Sequence, residues 1–342
     1  MVMTAEIERH LQRFESYFST TSSTFGSDIA VERLCDSSWL LKPRRSVVSL
    51  PPGKDIGLVL MGITHGNEWA GAAVLNDTLA HIAAGSINLN IPVAFVLGNP
   101  WAARQNKRFL ERDLNRSFAR KDAKALEECR AMELMPILER TAFILDFHQT
   151  TRRSDRPFFI FPHSPASLSF AQQIMPRLTI VTHWGKPFSA EGMCTDEFVN
   201  SKGGTGISLE LGQNGLDDYQ VAVGVDAALW AIRVATLNAV GDTESLHHRV
   251  AAATPELYTW AATLPWPDSG FVDLIEGLDN FRWIEHGERI GSVDDRPLLS
   301  PAAGRLLFPK YLTRQQQLQQ TSRPTEVLRI MRQIDQKELP GS

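Results

Sequence analysis

The sequence predicts an α/β fold in which a mainly parallel or mixed sheet is covered by helices, followed by a smaller C-terminal β domain. Three observations carry that prediction. The runs Gly57–Ile63, Ile91–Gly98, Ala142–Phe147 and Ile207–Leu211 are apolar on both faces, as strands buried from both sides must be. Longer stretches with helical spacing separate them, which is the alternation of a covered parallel sheet. Past Asp242 the texture changes to short strand-like pieces with turns between them.

Taken in order, Glu6 to about Phe18 spaces Ile7, Leu11, Phe14 and Phe18 as a short amphipathic helix, read as an appendage before the core. One or two short strands follow around Trp39 to Leu50 and close on the turn Pro51-Pro52-Gly53. The strand at Gly57–Ile63 leads into a helix from Glu68 to about Ala83, and the strand at Ile91–Gly98 into a polar loop through Arg116. A helix from about Ala123 to Glu139 precedes strands at Ala142–Phe147, Phe158–Phe161, Leu178–Val181 and Ile207–Leu211, then a helix from about Tyr219 to Val240. Pieces such as Phe281–Ile284, Glu288–Gly291 and Gly304–Phe308 form the small β domain. The division expected is residues 1–245 for the main domain, with 1–25 as its helical appendage, 246–315 for the β domain and 316–342 as a polar tail.

Composition narrows the class. The 342 residues are 43% hydrophobic and 22% charged, which suits a globular chain with a large core. A formal charge of −4 and the absence of a basic stripe give no pull toward nucleic acid. No uninterrupted apolar run approaches the roughly 20 residues of a membrane helix. The N-terminus is polar and acidic within eight residues, so no signal peptide is read and a cytoplasmic location is expected. Cys35, Cys129 and Cys194 are too few and too scattered for a disulfide framework or a cysteine zinc knot. Self-association into a homo-oligomer is compatible with the sequence and not dictated by it.

The chemistry sits where strands end, the side on which open α/β sheets gather their ligands. His65 and Glu68 stand three apart just after the strand ending at Ile63, and His148 follows the strand ending at Phe147. Two imidazoles and a carboxylate are the ligand set of a catalytic zinc, which keeps a fourth position open. Gly66 between them allows a tight turn. Alone, a histidine and glutamate three apart are commonly coincidental, and a histidine beside Asp146 is commonly a satisfied core residue. Glu210 is different, because a carboxylate inside the apolar run Gly206–Gly212 needs a metal, a proton or a cation to offset its burial. Arg108, Arg112 and Arg116 read either as a solvated stretch or as forks for carboxylates.

Five ordered runs resemble the succinylglutamate desuccinylase and aspartoacylase family, relatives of the zinc carboxypeptidases. They are Gly62–Glu68, Gly98-Asn99-Pro100, Arg108 with Asp113–Phe118, Asp146-Phe147-His148 and Leu209–Gly212, within a span from about Leu58 to Val240. The resemblance implies a zinc carboxypeptidase-like fold and a hydrolase that cuts the amide between an acyl group and an amino acid. It implies one zinc ion per chain on His65, Glu68 and His148, with Glu210 as the general base. Arg108 would polarise the scissile carbonyl, Asn115 and Arg116 would hold a substrate carboxylate, and Asp113 would orient His65. Arg152, four residues past His148, resembles the desuccinylases and points to a dicarboxylic acyl group, with N-succinylglutamate as substrate. Thr150-Thr151 resembles the aspartoacylases instead, and Ser189 to Gly204 fits neither pattern. The alternatives are an aspartoacylase-like deacylase of another N-acyl amino acid and a zinc carboxypeptidase acting on small peptides. The four tyrosines, none beside the motifs, disfavour the carboxypeptidase, and Glu210 disfavours a mere metabolite binder.

Overall fold

A computed structural model describes residues 2–19, 24–45, 48–251, 254–319 and 323–341. The elements are α1 (Val2–Ser19), β1 (Ile29–Cys35), β2 (Ser38–Pro43), β3 (Ile56–Gly62), α2 (Ala70–Ala83), β4 (Val93–Leu97), α3 (Pro100–Arg104), α4 (Leu126–Glu139), β5 (Thr141–Thr150), β6 (Phe158–Pro162), α5 (Pro165–Ile174), β7 (Thr179–His183), α6 (Thr195–Ser201), β8 (Thr205–Gln213), α7 (Asp218–Val240) and α8 (Thr243–Ala251). The C-terminal region adds β9 (Leu257–Pro265), β10 (Val272–Leu274), β11 (Trp283–Ile284), β12 (Arg289–Val293), β13 (Arg296–Leu299), β14 (Gly304–Leu307), α9 (Arg314–Gln319) and β15 (Glu326–Ile334).

The main sheet has 12 strands in the order β1-β2-β4-β3-β5-β8-β6-β7-β9-β15-β14-β11. Its middle is parallel (β4, β3, β5 and β8), and β6 enters antiparallel to β8. Every residue of β3 and β4 is buried, because helices cover both faces. Leu58 and Leu60 face a core shared with α1, α2, α5 and α7, while Val59 and Met61 face one shared with α4 and α6. Helix ends carry their own stop signals. Ser164 caps α5 by accepting from Ser167 N, ahead of Pro165, and Gly241 ends α7 at φ +73°. The α7 helix is long and apolar enough to cross a membrane by length and composition; here its small residues Gly224, Ala227, Ala228 and Ala231 are buried in the core.

Several expectations change. The N-terminal helix is no appendage, since Ile7, Leu11 and Phe14 are buried in the main core and Phe18 stacks on Trp39 at 4.9 Å. Only β2 forms among the described residues of the Trp39–Leu50 stretch, and β1 lies before it. The expected polar tail at 316–342 contains β15, the strand that joins β9 to β14. Val327, Leu328, Ile330 and Met331 on it are fully buried. The expectation came from the polar run Gln315 to Gln320 ahead of it; Arg329 within β15 is buried because Glu326 and the Phe188 carbonyl answer its charge. Nor does the sheet stop at residue 245: β9 pairs in parallel with β7 and carries β15, β14 and β11 onward. The separate three-stranded sheet β10-β12-β13 packs over a further core around Trp266, Ile290 and Leu328.

Candidate metal centre

The chain leaves β3 through Ile63, a β-branched residue held at φ +50°, where side chains are rarely tolerated. Two backbone bonds fix that turn, Gly98 N to Gly62 O at 2.9 Å and Asn99 N to Ile63 O at 2.9 Å. Gly66 serves close approach: a Cβ there would lie 2.3 Å from the Ala102 and Ala103 backbone of α3. Glu68 precedes α2, which starts at Ala70, and Trp69 donates its indole N–H to the Gly66 carbonyl at 3.0 Å. Strand β5 runs through Thr150, so His148 lies within the strand.

These turns bring His65, Glu68 and His148 together, each 4% exposed or less. One ligand atom from each lies within 4.8 Å of the others. His65 Nδ1 is 2.8 Å from Glu68 Oε1, and His148 Nδ1 is 3.0 Å from Glu68 Oε2. The far nitrogens are held as well, His65 Nε2 by Asp113 Oδ1 at 3.1 Å and His148 Nε2 by Asp146 Oδ2 at 3.0 Å. Carboxylates behind both imidazoles are the usual support of metal-binding histidines, since they fix the tautomer and raise ligand basicity. This donor set therefore fits a divalent cation.

The electrostatics agree. Burial would raise the Glu68 carboxyl, but His65 and His148 reverse this and hold it well below the usual range. Burial would lower His148, but Asp146 and Glu68 push it well above its ordinary value. Carboxylates and imidazoles thus hold one another's charged forms in this cluster. Asp146, not singled out as a site residue from the sequence, is fully buried and also accepts from Thr64 Oγ1 and Thr195 Oγ1, at 2.9 and 2.7 Å. Its signal was there in the spacing, since residues two apart on a strand share a face. Gln149 was missed too: its amide N–H donates to Glu68 Oε2 at 3.1 Å.

Glu210 on β8 stands beside His148 in the sheet register. It is 8% exposed, and its Oε2 is buried without a partner among the described residues. Burial pushes its carboxyl up to about 8, helped by Glu68 and opposed by His148 and Arg108. Arg108 lies at the rim, its guanidinium 3.3 Å from Glu68 Oε1 and 3.1 Å from Asp113 Oδ2.

Asn115 and Arg116 form a second cluster. Asn115 Oδ1 accepts from Thr195 N at 3.0 Å, and Arg116 donates to Cys194 Sγ at 3.1 Å and lies over the Phe188 ring at 5.1 Å. The Ser189–Gly204 segment, without a familiar pattern in the sequence, supplies Cys194 and Thr195. Gly192, at φ +155°, packs so tightly that a Cβ would lie 2.0 Å from the Arg116 carbonyl oxygen. Arg152 pairs with Asp279 at 3.3 Å and stacks on Tyr311 at 4.2 Å, both from the C-terminal region.

Comparison with known proteins identifies the family and the fold. The probable aspartoacylase of Prochlorococcus marinus is 32% identical over 133 residues, 36% of this chain and 43% of that one. The succinylglutamate desuccinylase of Serratia proteamaculans is 29% identical over 201 residues, 53% of this chain and 59% of its own length. The matches thus span about half the length of these two curated relatives. Among solved structures, the succinylglutamate desuccinylase of Chromobacterium violaceum superposes with a TM-score of 0.66 at 21% identity, covering 97% of this chain and 98% of that one. Murine aminoacylase 3 gives 0.58 at 19% identity, covering 84% and 97%. At such identities the likeness establishes the fold. The model of the succinylglutamate desuccinylase/aspartoacylase catalytic domain matches residues 54–225, which hold every run from the β3 turn to Glu210, and the chain belongs to that family.

Proposed function

We propose that this chain is a zinc-dependent amidohydrolase that cleaves the acyl–amide bond of an N-acyl amino acid, with N-succinylglutamate, giving succinate and glutamate, as the leading substrate. The observation that carries this reading is the convergence of His65, Glu68 and His148 beside an unpartnered buried carboxyl on Glu210. His65, Glu68 and His148 would hold the zinc, one ion per chain. Bound zinc supplies Lewis acidity toward water and a carbonyl oxygen.

The chain's own groups do the rest. Glu210, whose carboxyl burial pushes up to about 8, in its ionised form takes a proton from the attacking water and returns it to the leaving amine. Arg108 sits at the rim with its charge partly committed to Asp113, placed to donate to the carbonyl oxygen as negative charge develops there. Asn115 and Arg116 hold a substrate carboxylate, for which the arginine fork gives geometry as well as charge. Asp113 and Asp146 orient the two imidazoles from behind.

A deacylase acting on a different N-acyl amino acid is the second reading. The 32% identity to a probable aspartoacylase over 133 residues favours it, and Arg152 already has one carboxylate partner in Asp279. Amine release from N-succinyl-, N-acetyl- and N-formyl-amino acids by the zinc-loaded protein tests both. Preference for N-succinylglutamate supports the first, preference for another acyl group the second, and no release from any of them removes the deacylase assignment.

A further inference from the structure

The strand that carries Glu210 changes register just beyond it. His148 on β5 pairs with Glu210 on β8, but Thr150 pairs with Gln213, so two steps along β5 meet three along β8. The extra residue makes a β-bulge, which bends a strand and re-aims the side chains beside it. Gly212 within it stands at φ +140°, and a Cβ there would lie 2.8 Å from Gln220 Nε2. A bulge interrupts the ladder, so its buried backbone groups need partners from elsewhere.

Gln149, the β5 residue opposite the bulge, supplies them. Its side-chain nitrogen lies 3.0 Å from Gln213 O, 2.9 Å from Gly215 O and 2.6 Å from Gln220 Oε1. Two amide hydrogens are thus shared among three acceptors, and Gln220 adds its own bond to Gln213 O at 3.1 Å. The oxygen of the same Gln149 amide faces the metal side, where it accepts from Ala70 N at 3.0 Å. Ala70 opens α2 two residues after Glu68, and Trp69 at the cap position gives that turn no side-chain bond. The backbone N–H of Gln149 completes the link by donating to Glu68 Oε2 at 3.1 Å. Gln149 is 3% exposed, and an apolar side chain would be buried there without the desolvation cost of an amide. The amide is placed for its bonds.

We propose that Gln149 is a positioning residue of the hydrolytic site. It staples the bulge after Glu210 to the first turn of α2, and so fixes the proton-carrying carboxyl relative to the carboxylate of Glu68. Gln220, on α7, is the second half of the staple. This inference rests on the deacylase reading of the same site.

Gln149→Met keeps the length of the side chain and removes every bond of its amide, while the backbone bond to Glu68 stays. Zinc affinity, read by competition with a chelator, should remain within about threefold of wild type, well short of the loss that follows removal of a group holding a ligand. In the zinc-loaded protein kcat should fall about 10- to 100-fold with KM kept within about twofold, the scale of a small misplacement at the reacting groups. In a Glu210→Gln background the same substitution should cost less than about threefold, since no proton carrier is left to misplace. A merely structural glutamine would lower the melting temperature and cost the same factor in both backgrounds. Equal factors overturn the proposal, as does an unchanged kcat or a zinc affinity weakened about tenfold or more. Should Gln149→Met fail to fold, the half-buried Gln220 decides. A kcat about threefold lower or worse in Gln220→Met, with KM kept, upholds the staple, and a kcat equal to wild type overturns it. If wild type cleaves no N-acyl amino acid, the deacylase reading fails by itself, and amide hydrogen exchange then tests the staple. The amide of Ala70 and that of Asn214, which donates to Thr150 O at 2.8 Å, should exchange about tenfold faster in Gln149→Met. Rates within about twofold of wild type at both amides overturn the proposal.

Discussion

His65, Glu68 and His148 are held by one another, with Glu210 beside His148 in the sheet, whereas Arg116 and Arg329 are held by loops and strands from distant parts of the chain. On the first side, Glu68 bonds to both histidines, and Asp113, from the loop after α3, and Asp146, on β5, hold their far nitrogens. On the second, Arg116 leans on Cys194 and Phe188, and Arg329 reaches Phe188 from β15. A closely interlocked centre fixes the reaction, while a surface assembled from separate segments can change substrate without disturbing it. Substitutions on the two sides should therefore fail in different ways.

The largest loss is expected on the metal side. His148→Ala should abolish stoichiometric zinc, and turnover should fall by about 10³-fold or more, since the metal's share of transition-state stabilisation is several kcal/mol. Metal analysis together with an amine-release assay checks this, and full zinc content in the variant would remove His148 from the ligand set. Glu210→Gln should cost about 10²- to 10⁴-fold in kcat while leaving zinc in place. That split distinguishes a proton carrier from a ligand; loss of zinc in this variant would mean that Glu210 binds the metal.

Asp146→Asn tests whether the carboxylate behind His148 matters in its own right. A fall of about 10- to 100-fold in metal affinity or activity is expected, because the amide neither fixes the same tautomer nor raises ligand basicity. Zinc affinity equal to wild type would make Asp146 a core group serving only Thr64 and Thr195. Across the site, Arg116→Lys should raise KM by roughly 10-fold with kcat nearly kept, because an ammonium cannot reproduce the bidentate fork. A loss confined to kcat would place Arg116 at the reacting carbonyl and exchange its role with that of Arg108.

The contrast also explains what could be read from the sequence. Gly57–Ile63, Ile91–Gly98 and Ile207–Leu211 announced the central strands, because burial on both faces leaves no polar positions to confuse the pattern. His65, Glu68 and His148 were legible because each sits within a few residues of such a strand end. The second side was not, since its groups meet only after folding. The polar run Gln315 to Gln320 made the C-terminus look like tail, although β15 behind it is buried. Arg152, judged by its distance from His148 along the chain, lies instead against Asp279 and Tyr311. Short helices such as α5 and α6 escaped notice because fewer than three turns carry little periodic signal.

The contact between Arg116 and Cys194 makes the protein its own reporter. Cys194 is 4% exposed, and burial pushes its thiol well above the ordinary pKa, so the sulfur is inert while the Gly192 loop stays packed on Arg116. Cys129 on α4 is exposed and supplies an internal reference on the same molecule. Alkylation should label Cys129 promptly and Cys194 only as fast as the loop opens, so the ratio of the two rates clocks the breathing of the substrate side. A bound dicarboxylate would slow that clock by holding Arg116 in place, and occupancy could then be followed by mass spectrometry without any turnover.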